Sequence, residues 1–428
     1  MSAAGASIPV KELINGPHVR GRLYRDPDLF ARELEAIWYK VWVYIGHESE
    51  IPQPGDFVRR QIGLQPVIMI REDNGQVGVL FNRCRHRGNL VCQREHGNVE
   101  VIRCPYHGWT YERSGELIEP TFEEGYDANL RREDFTLARP PRIDSYRGLV
   151  FASLSPAGIT LDEHLGAVKE FIDLFMDLSP TGEIDINTGT QKLRYRGNWK
   201  MLPENSLEGD YHGPFIHRIA FDLQSRQTGL NMNSLYENEV PDVIRYLPGG
   251  HMVEDYRGAT MSPPVGQATP ARRAYQEAME QRYGAERARQ LLLTTAPLVY
   301  VFPNLIYILT HIRRVQPVSV DETYIYYQPM FLKGAPAEIN EMRLRMHEFG
   351  FGPAGFISPD DVEIMERNQI GIQAQGNDAS FIGRGLHREK RMPDGGTAGF
   401  TMDENHLRGM WRHYAKLMDD PDHAPFVR

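Results

Sequence analysis

The chain has 428 residues, is 41% hydrophobic and 25% charged, and carries a net charge of −9 with no basic stripe. Its length exceeds what one hydrophobic core usually serves, so two domains are expected. The acidic balance speaks against nucleic acid or an anionic membrane as partner, and no apolar run reaches transmembrane length. The opening MSAAGASIPVKELINGPHV has no continuous apolar core and does not read as a signal peptide. Only three cysteines occur, and Cys92 is left over from the motif described below. No intramolecular disulfide is therefore expected, a reducing cytoplasm fits, and Cys92 reads as a small buried apolar side chain.

In chain order, Pro27 to Val43 reads as a helix, with Leu29, Phe30, Leu34, Ile37, Trp38 and Val41 at helical spacing. After Ile51-Pro52-Gln53-Pro54-Gly55 the pattern changes to short strands at Phe57–Ile62, Val67–Arg71 and Val77–Phe81. The last two are joined at Asp73-Asn74-Gly75. A hairpin signal runs from Thr110-Tyr111 to Ser114-Gly115, and Gly148–Ser153 reads as a closing strand. Residues 45–155 thus form an all-β domain, with residues 1–44 as a helical segment packing on a larger domain over 156–428. In that larger domain Leu161–Leu178, Arg272–Leu292 and Pro336–Phe349 read as helices. Lys192–Arg196, Leu305–Thr310 and Thr323–Met330 read as strands, so the class is α+β, an antiparallel sheet flanked by helices. The charge-rich Arg272–Leu292 stretch reads as a solvated helix face.

The β domain carries Cys84-Arg85-His86 and, after seventeen intervening residues, Cys104-Pro105-Tyr106-His107-Gly108-Trp109. Each half offers one thiolate and one imidazole. A Rieske [2Fe–2S] centre needs that set, because two cysteines hold one iron and two histidines the other. Neutral imidazoles raise the cluster's reduction potential above that of an all-thiolate cluster. A structural zinc site also takes two cysteines and two histidines. Zinc sites, however, usually pair like ligands at spacings of two or more, whereas both halves here are mixed.

An electron carrier would need only the β domain. The larger domain contains Gly197-Asn198-Trp199-Lys200, then Glu204-Asn205-Ser206-Leu207-Glu208-Gly209-Asp210-Tyr211-His212, then His217. Two histidines five apart can give a metal two imidazole corners. Pro359-Asp360-Asp361 offers a carboxylate at a helix start, although an aspartate there also suits a helix cap. Two histidines and one carboxylate on one face of an ion leave open positions, the facial triad of non-haem Fe(II) oxygenases. By spacing alone the triad is a weak signal, and its co-occurrence with the cluster motif is what gives it weight.

At this point the chain resembles the large, catalytic subunit of a Rieske non-haem iron aromatic-ring-hydroxylating dioxygenase. The resemblance covers Ile37-Trp38, Gly46-His47-Glu48-Ser49-Glu50-Ile51-Pro52, both cluster halves, Asn198-Trp199-Lys200 through His217, and Phe351 to Asp361. It implies a [2Fe–2S] cluster on Cys84, His86, Cys104 and His107, and a mononuclear iron on His212, His217 and Asp361, with Asp360 left as the helix cap. It implies Asn205 beside the iron, and Phe351 and Ile357 lining the substrate pocket. It also implies cis-dihydroxylation of an aromatic ring with O₂, electrons from a separate ferredoxin or reductase, and a small beta subunit in an α3β3 assembly. A Rieske monooxygenase or demethylase would use the same two metals, and an electron-transfer iron–sulfur protein would use only the first. No glycine-rich dinucleotide fingerprint occurs, so NADH and flavin belong to the separate reductase.

The chain departs from the family in one place. The family has an acid three residues before the first iron-ligand histidine, bridging it to the cluster of a neighbouring subunit. Gly209 stands there, flanked by Glu208 and Asp210. On a regular helix Glu208 lies about 40° around from His212 and Asp210 about 160°. Helical geometry favours Glu208 as the bridge, and a local bulge would favour Asp210.

Overall fold

The computed structural model describes residues 9–127, 129–208, 211–228, 239–258, 269–293, 296–374 and 376–420. Contacts divide them into two compact units. Residues 38–161 form one, and the residues before and after that stretch form the other.

The 38–161 unit is built from short antiparallel sheets. Val77–Phe81, Gln65–Arg71, Asp56–Ile62 and His96–Asn98 lie side by side in that order. Ile102–Arg103, Thr110–Tyr111 and Leu117–Glu119 make a second sheet. Arg142–Tyr146, Leu149–Ser153 and Val43–His47 make a third. Val67 to Ile70 is buried without alternation, as expected of a strand covered on both faces. Ile68, Ile70, Leu80, Trp109, Tyr111 and Leu117 pack together with Cys84, Cys92 and Cys104. Cys92 sits in this core as a plain apolar side chain, its thiol pushed up to about 11 chiefly by burial.

The second unit centres on a nine-stranded antiparallel sheet among the described residues. Across it run Gln191–Tyr195, Glu322–Pro329, His311–Ser319, Leu305–Ile308, Leu298–Val301, His251–Glu254, Ile244–Leu247, Thr397–Gly399 and Lys390–Arg391. Helices Lys169–Met176, Ala337–Phe351, Ser358–Gly371 and Asn405–Asp419 accompany it. The observed class is α+β.

Three expected helices are modified. The first runs Pro27–Glu33, widens to a π-helical turn at Leu34–Trp38 and stops, so Val43 opens a strand. Leu161–Leu178 is interrupted by a 3-10 turn at Gly166–Val168. Arg272–Leu292 is two helices, Pro270–Tyr283 and Ala285–Leu293, parted where Gly284 takes a positive φ of 79°.

A buried charge ties the N-terminal helix to the second unit's core. The Glu33 carboxylate accepts from Trp199 Nε1 at 2.7 Å, Lys200 Nζ at 2.5 Å and Tyr414 Oη at 2.5 Å. Lys200 and Glu33 are both fully buried. Such a pair gives little net stability over apolar residues, but breaking it leaves an uncompensated charge. Glu33→Ala is therefore expected to destabilise this unit by about 3–5 kcal/mol, and Glu33→Leu with Lys200→Met should recover most of the loss. Chemical denaturation of the single and double variants measures both.

Candidate metal centres

The two cluster loops in the 38–161 unit share one backbone design. Cys84 N–H bonds to the Asn89 carbonyl at 2.8 Å, and Cys104 N–H to the Trp109 carbonyl at 2.8 Å. Gly88 N–H returns to the Cys84 carbonyl and Gly108 N–H to the Cys104 carbonyl, each at 3.0 Å. Both glycines hold positive φ, 76° and 77°, a conformation that a side chain would strain. The histidine sits two residues after the cysteine in one loop and three after it in the other. Both cysteines are buried, whereas His86 and His107 are partly exposed. The two imidazoles pack edge to face at 4.7 Å, and His86 stacks on Trp109 at 5.0 Å.

These residues fit a two-iron cluster better than one ion. A single tetrahedral zinc would gather all four donor atoms within about 4 Å. Among the described residues, only a different trio gathers its His, Cys, Asp or Glu donor atoms that tightly, within 4.8 Å. Burial leads the causes that hold the Cys84 thiol above its usual pKa, with Cys104 contributing, so the two sulfurs are near neighbours. His86 Nδ1 is buried with no hydrogen-bond partner, a donor atom waiting for a ligand bond. Tyr111 Oη lies 3.3 Å from Cys84 Sγ and steadies that sulfur.

The trio is His212, His217 and Asp361. His212 Nε2 and His217 Nε2 are 3.1 Å apart, and Asp361 Oδ1 lies 3.6 Å and 3.1 Å from them. Three donors each about 2.1 Å from one ion at right angles would be about 3 Å apart, so the triangle fits a face of an octahedron. On a regular helix two residues five apart point about 140° away from each other. Here a one-turn helix, Gly213–Ile216, stops at His217, which is non-helical at φ −93° and ψ 18°, and a second helix begins at Arg218. The break turns both imidazoles to one point.

Asp361 arrives on helix Ser358–Gly371, where Pro359 and two acids in the first turn suit a helix start. That helix is pinned to the chain before the trio. Arg196 N–H bonds to Glu366 Oε1 at 2.9 Å, and Asn198 N–H to Gln369 Oε1 at 3.1 Å. Asn205 Nδ2 donates to Asp361 Oδ1 at 3.2 Å, and its own Oδ1 is buried without a partner. Burial alone would raise the Asp361 carboxyl, but the adjacent His212 and His217 imidazoles hold it well below the usual range. Burial would lower His212, and its bonds to Asp361 and Glu208 instead carry it up to about 11.

The expectation that Asp360 caps this helix is corrected. The N-cap is Ile357, with no side-chain cap bond. The Asp360 carboxylate faces the other way, 3.7 Å from His217 Nδ1. Glu208 makes an ion pair with His212 Nδ1. It reaches that position without a regular helix, since helix Met201–Ser206 ends before Leu207 and His406 Nε2 bonds to the Leu207 carbonyl. Gly209 and Asp210 lie outside the described residues. Phe351 is buried, and Ile357 is partly buried at the start of the Asp361 helix.

Sequence reading passed over Glu204, partly buried and held by Tyr24 Oη at 2.8 Å and Trp411 Nε1 at 2.6 Å. Burial is the chief cause that pushes its carboxyl up to about 7. Glu204, Asn205, Glu208 and His212 line one cavity of about 420 Å³. The i, i+4 spacing of Glu204, Glu208 and His212 was the available signal.

Residues 41–128 match the Rieske [2Fe-2S] domain family, and residues 183–420 match the catalytic domain of the ring hydroxylating alpha subunit family. The chain is 32% identical to the anthranilate 1,2-dioxygenase large subunit of Acinetobacter baylyi, over 86% of this chain and 80% of that one. It is 30% identical to the biphenyl 2,3-dioxygenase subunit alpha of Rhodococcus jostii, over 94% and 89%. Among solved structures, naphthalene 1,2-dioxygenase from Rhodococcus sp. bound to indole matches with a TM-score of 0.79 and 26% identity, over 96% and 97%. Among the described residues no helix is long and apolar enough to cross a membrane.

Removing one corner of the trio should empty it without touching the other centre. Asp361→Ala is expected to lower iron affinity at His212 and His217 by more than about tenfold while the cluster's visible absorbance stays unchanged. Iron and acid-labile sulfide analysis reads both. Wild-type iron content in the variant would break the assignment.

Proposed function

The chain belongs to the ring-hydroxylating alpha-subunit family, and from that membership we propose that it is the catalytic large subunit of an aromatic-ring dioxygenase. It takes electrons from a separate ferredoxin or reductase and uses O₂ to place two cis hydroxyls on adjacent ring carbons. The observation that carries this reading is the pairing, in one chain, of a mixed Cys–His double loop with a three-donor site that leaves coordination positions open. Cys84, His86, Cys104 and His107 are assigned to a [2Fe–2S] cluster, and His212, His217 and Asp361 to a mononuclear Fe(II). When bound, the cluster supplies electrons singly and the iron supplies a place for dioxygen.

The protein's own contribution is positional. A carboxylate on Nδ1 fixes the tautomer of a ligand histidine and turns the Nε2 lone pair inward. Glu208 does this for His212, and that contact is what favours it over Asp210 as the acidic bridge toward a neighbouring subunit. Asn205 steadies the Asp361 oxygen beside the open positions. Phe351 and Ile357 are assigned to the substrate pocket. A bridge between subunits requires a ring of like chains, and three large with three small subunits is the arrangement proposed. Three unpaired cysteines, all buried, suit a reducing cytoplasm.

With ¹⁸O₂ both oxygen atoms of the diol are expected to carry label, and a singly labelled phenol would make the enzyme a monooxygenase. Glu208→Gln is expected to keep both metals and lose at least about 10²-fold in turnover, with the cluster staying reduced in the presence of substrate and O₂. Asp210→Asn should stay within about threefold of wild type. Rapid-mixing absorbance of the cluster distinguishes the two, and an active Glu208→Gln would remove Glu208 from the bridge.

A further inference from the structure

Beside the three-donor site lies a buried cation with no acid to answer it. Arg313 is 2% exposed, and among the described residues no Asp or Glu lies within ion-pair distance of it. Its Nη1 donates to Ser206 Oγ at 2.8 Å and its Nε to His311 Nε2 at 3.1 Å. A guanidinium has five N–H donors in a planar fork, so three remain without a protein acceptor among the described residues. The plane is held by rings, with Tyr327 and Phe351 centroids 5.0 Å and 5.1 Å from Cζ. Tyr327 is its direct cross-strand partner in the antiparallel pair His311–Ser319 and Glu322–Pro329.

The neighbourhood contains more unanswered polar atoms. His311 Nε2 accepts from Arg313, so the ring carries its proton on Nδ1, and that Nδ1 is buried without a partner. Tyr327 Oη and Ser358 Oγ face each other, yet neither makes a hydrogen bond of acceptable geometry. Burial costs a charge or a donor several kcal/mol unless something completes it. The group that would complete this one is an anion offering two oxygens in a plane, to meet the free edge of the fork.

The location says what that anion is attached to. Ser206 follows Asn205, which bonds to Asp361, and Ser358 opens the helix that carries Asp361. Phe351, assigned above to the substrate pocket, is the same ring that packs on the guanidinium. Resting on that reading of the site, we propose that the aromatic substrate bears a carboxylate and that Arg313 binds it, holding the ring beside the metal trio. Arg313 is a specificity-determining residue here, and Ser206 and His311 position it.

Calorimetry on the metal-loaded protein tests this with benzoate and toluene, which differ in carboxylate against methyl. Wild type is expected to bind benzoate at least about tenfold tighter than toluene. Arg313→Gln and Arg313→Leu should each weaken benzoate at least about tenfold and leave toluene within about threefold, and Arg313→Lys should restore part of the loss. Iron content and melting temperature confirm that each variant is folded. Failure of wild type to bind benzoate, or unchanged benzoate binding in both Arg313 variants, would overturn the proposal. The dioxygenase reading fails separately: Arg313-dependent benzoate binding with no O₂-dependent product would sink that reading and leave the carboxylate site standing.

Discussion

Asp361 is a carboxylate kept charged in the protein interior, with two imidazoles and one carboxamide around it. Among the described residues no lysine or arginine stands within ion-pair distance. A buried anion is costly unless cations or strong donors compensate it. The imidazoles of His212 and His217 lie against it, and the same carboxylate contributes to raising His212. A divalent ion held by His212, His217 and Asp361 would compensate that charge directly. Much of the local fold serves this arrangement. The helix break at His217, the pins from Arg196 and Asn198, and the Glu208 contact each fix one donor relative to the others.

The first centre obeys the opposite logic. Its two loops repeat the same backbone hydrogen bonds and the same left-handed glycine, so the cysteines are presented alike. The imidazoles are not, because one follows its cysteine by two residues and the other by three. Buried sulfur on one side and partly exposed nitrogen on the other give the centre a direction. On the proposed assignment charge would leave by the imidazole side, since those side chains are the ones a partner surface can approach.

What the sequence made legible follows from how local each signal is. The cluster halves are short and unusual, and they were readable from residue type alone. The strands between Asp56 and Phe81 announced themselves by apolar runs between turn residues. His212 and His217 were ambiguous because their meeting depends on a helix break that spacing does not encode. Asp360 was misassigned because a capping role and a contact to His217 start from the same Pro-Asp-Asp letters. Arg313 went unnoticed in the buried strand His311–Ser319, since its surroundings come from Ser206, Tyr327 and Phe351, far off in sequence. Strands at His251–Glu254 and Leu298–Val301 were also missed, because sheet partners supply their burial.

The Glu33 contact has a consequence for the order in which the molecule is made. Its partner Lys200 lies 167 positions downstream, and the whole of the 38–161 unit intervenes. At about 5–20 residues per second, translation separates the two by roughly ten to thirty seconds. The nascent N-terminal helix therefore leaves the ribosome with an acid that has nowhere to settle. The iron–sulfur module can be complete before the module that consumes its electrons has closed its own first helix.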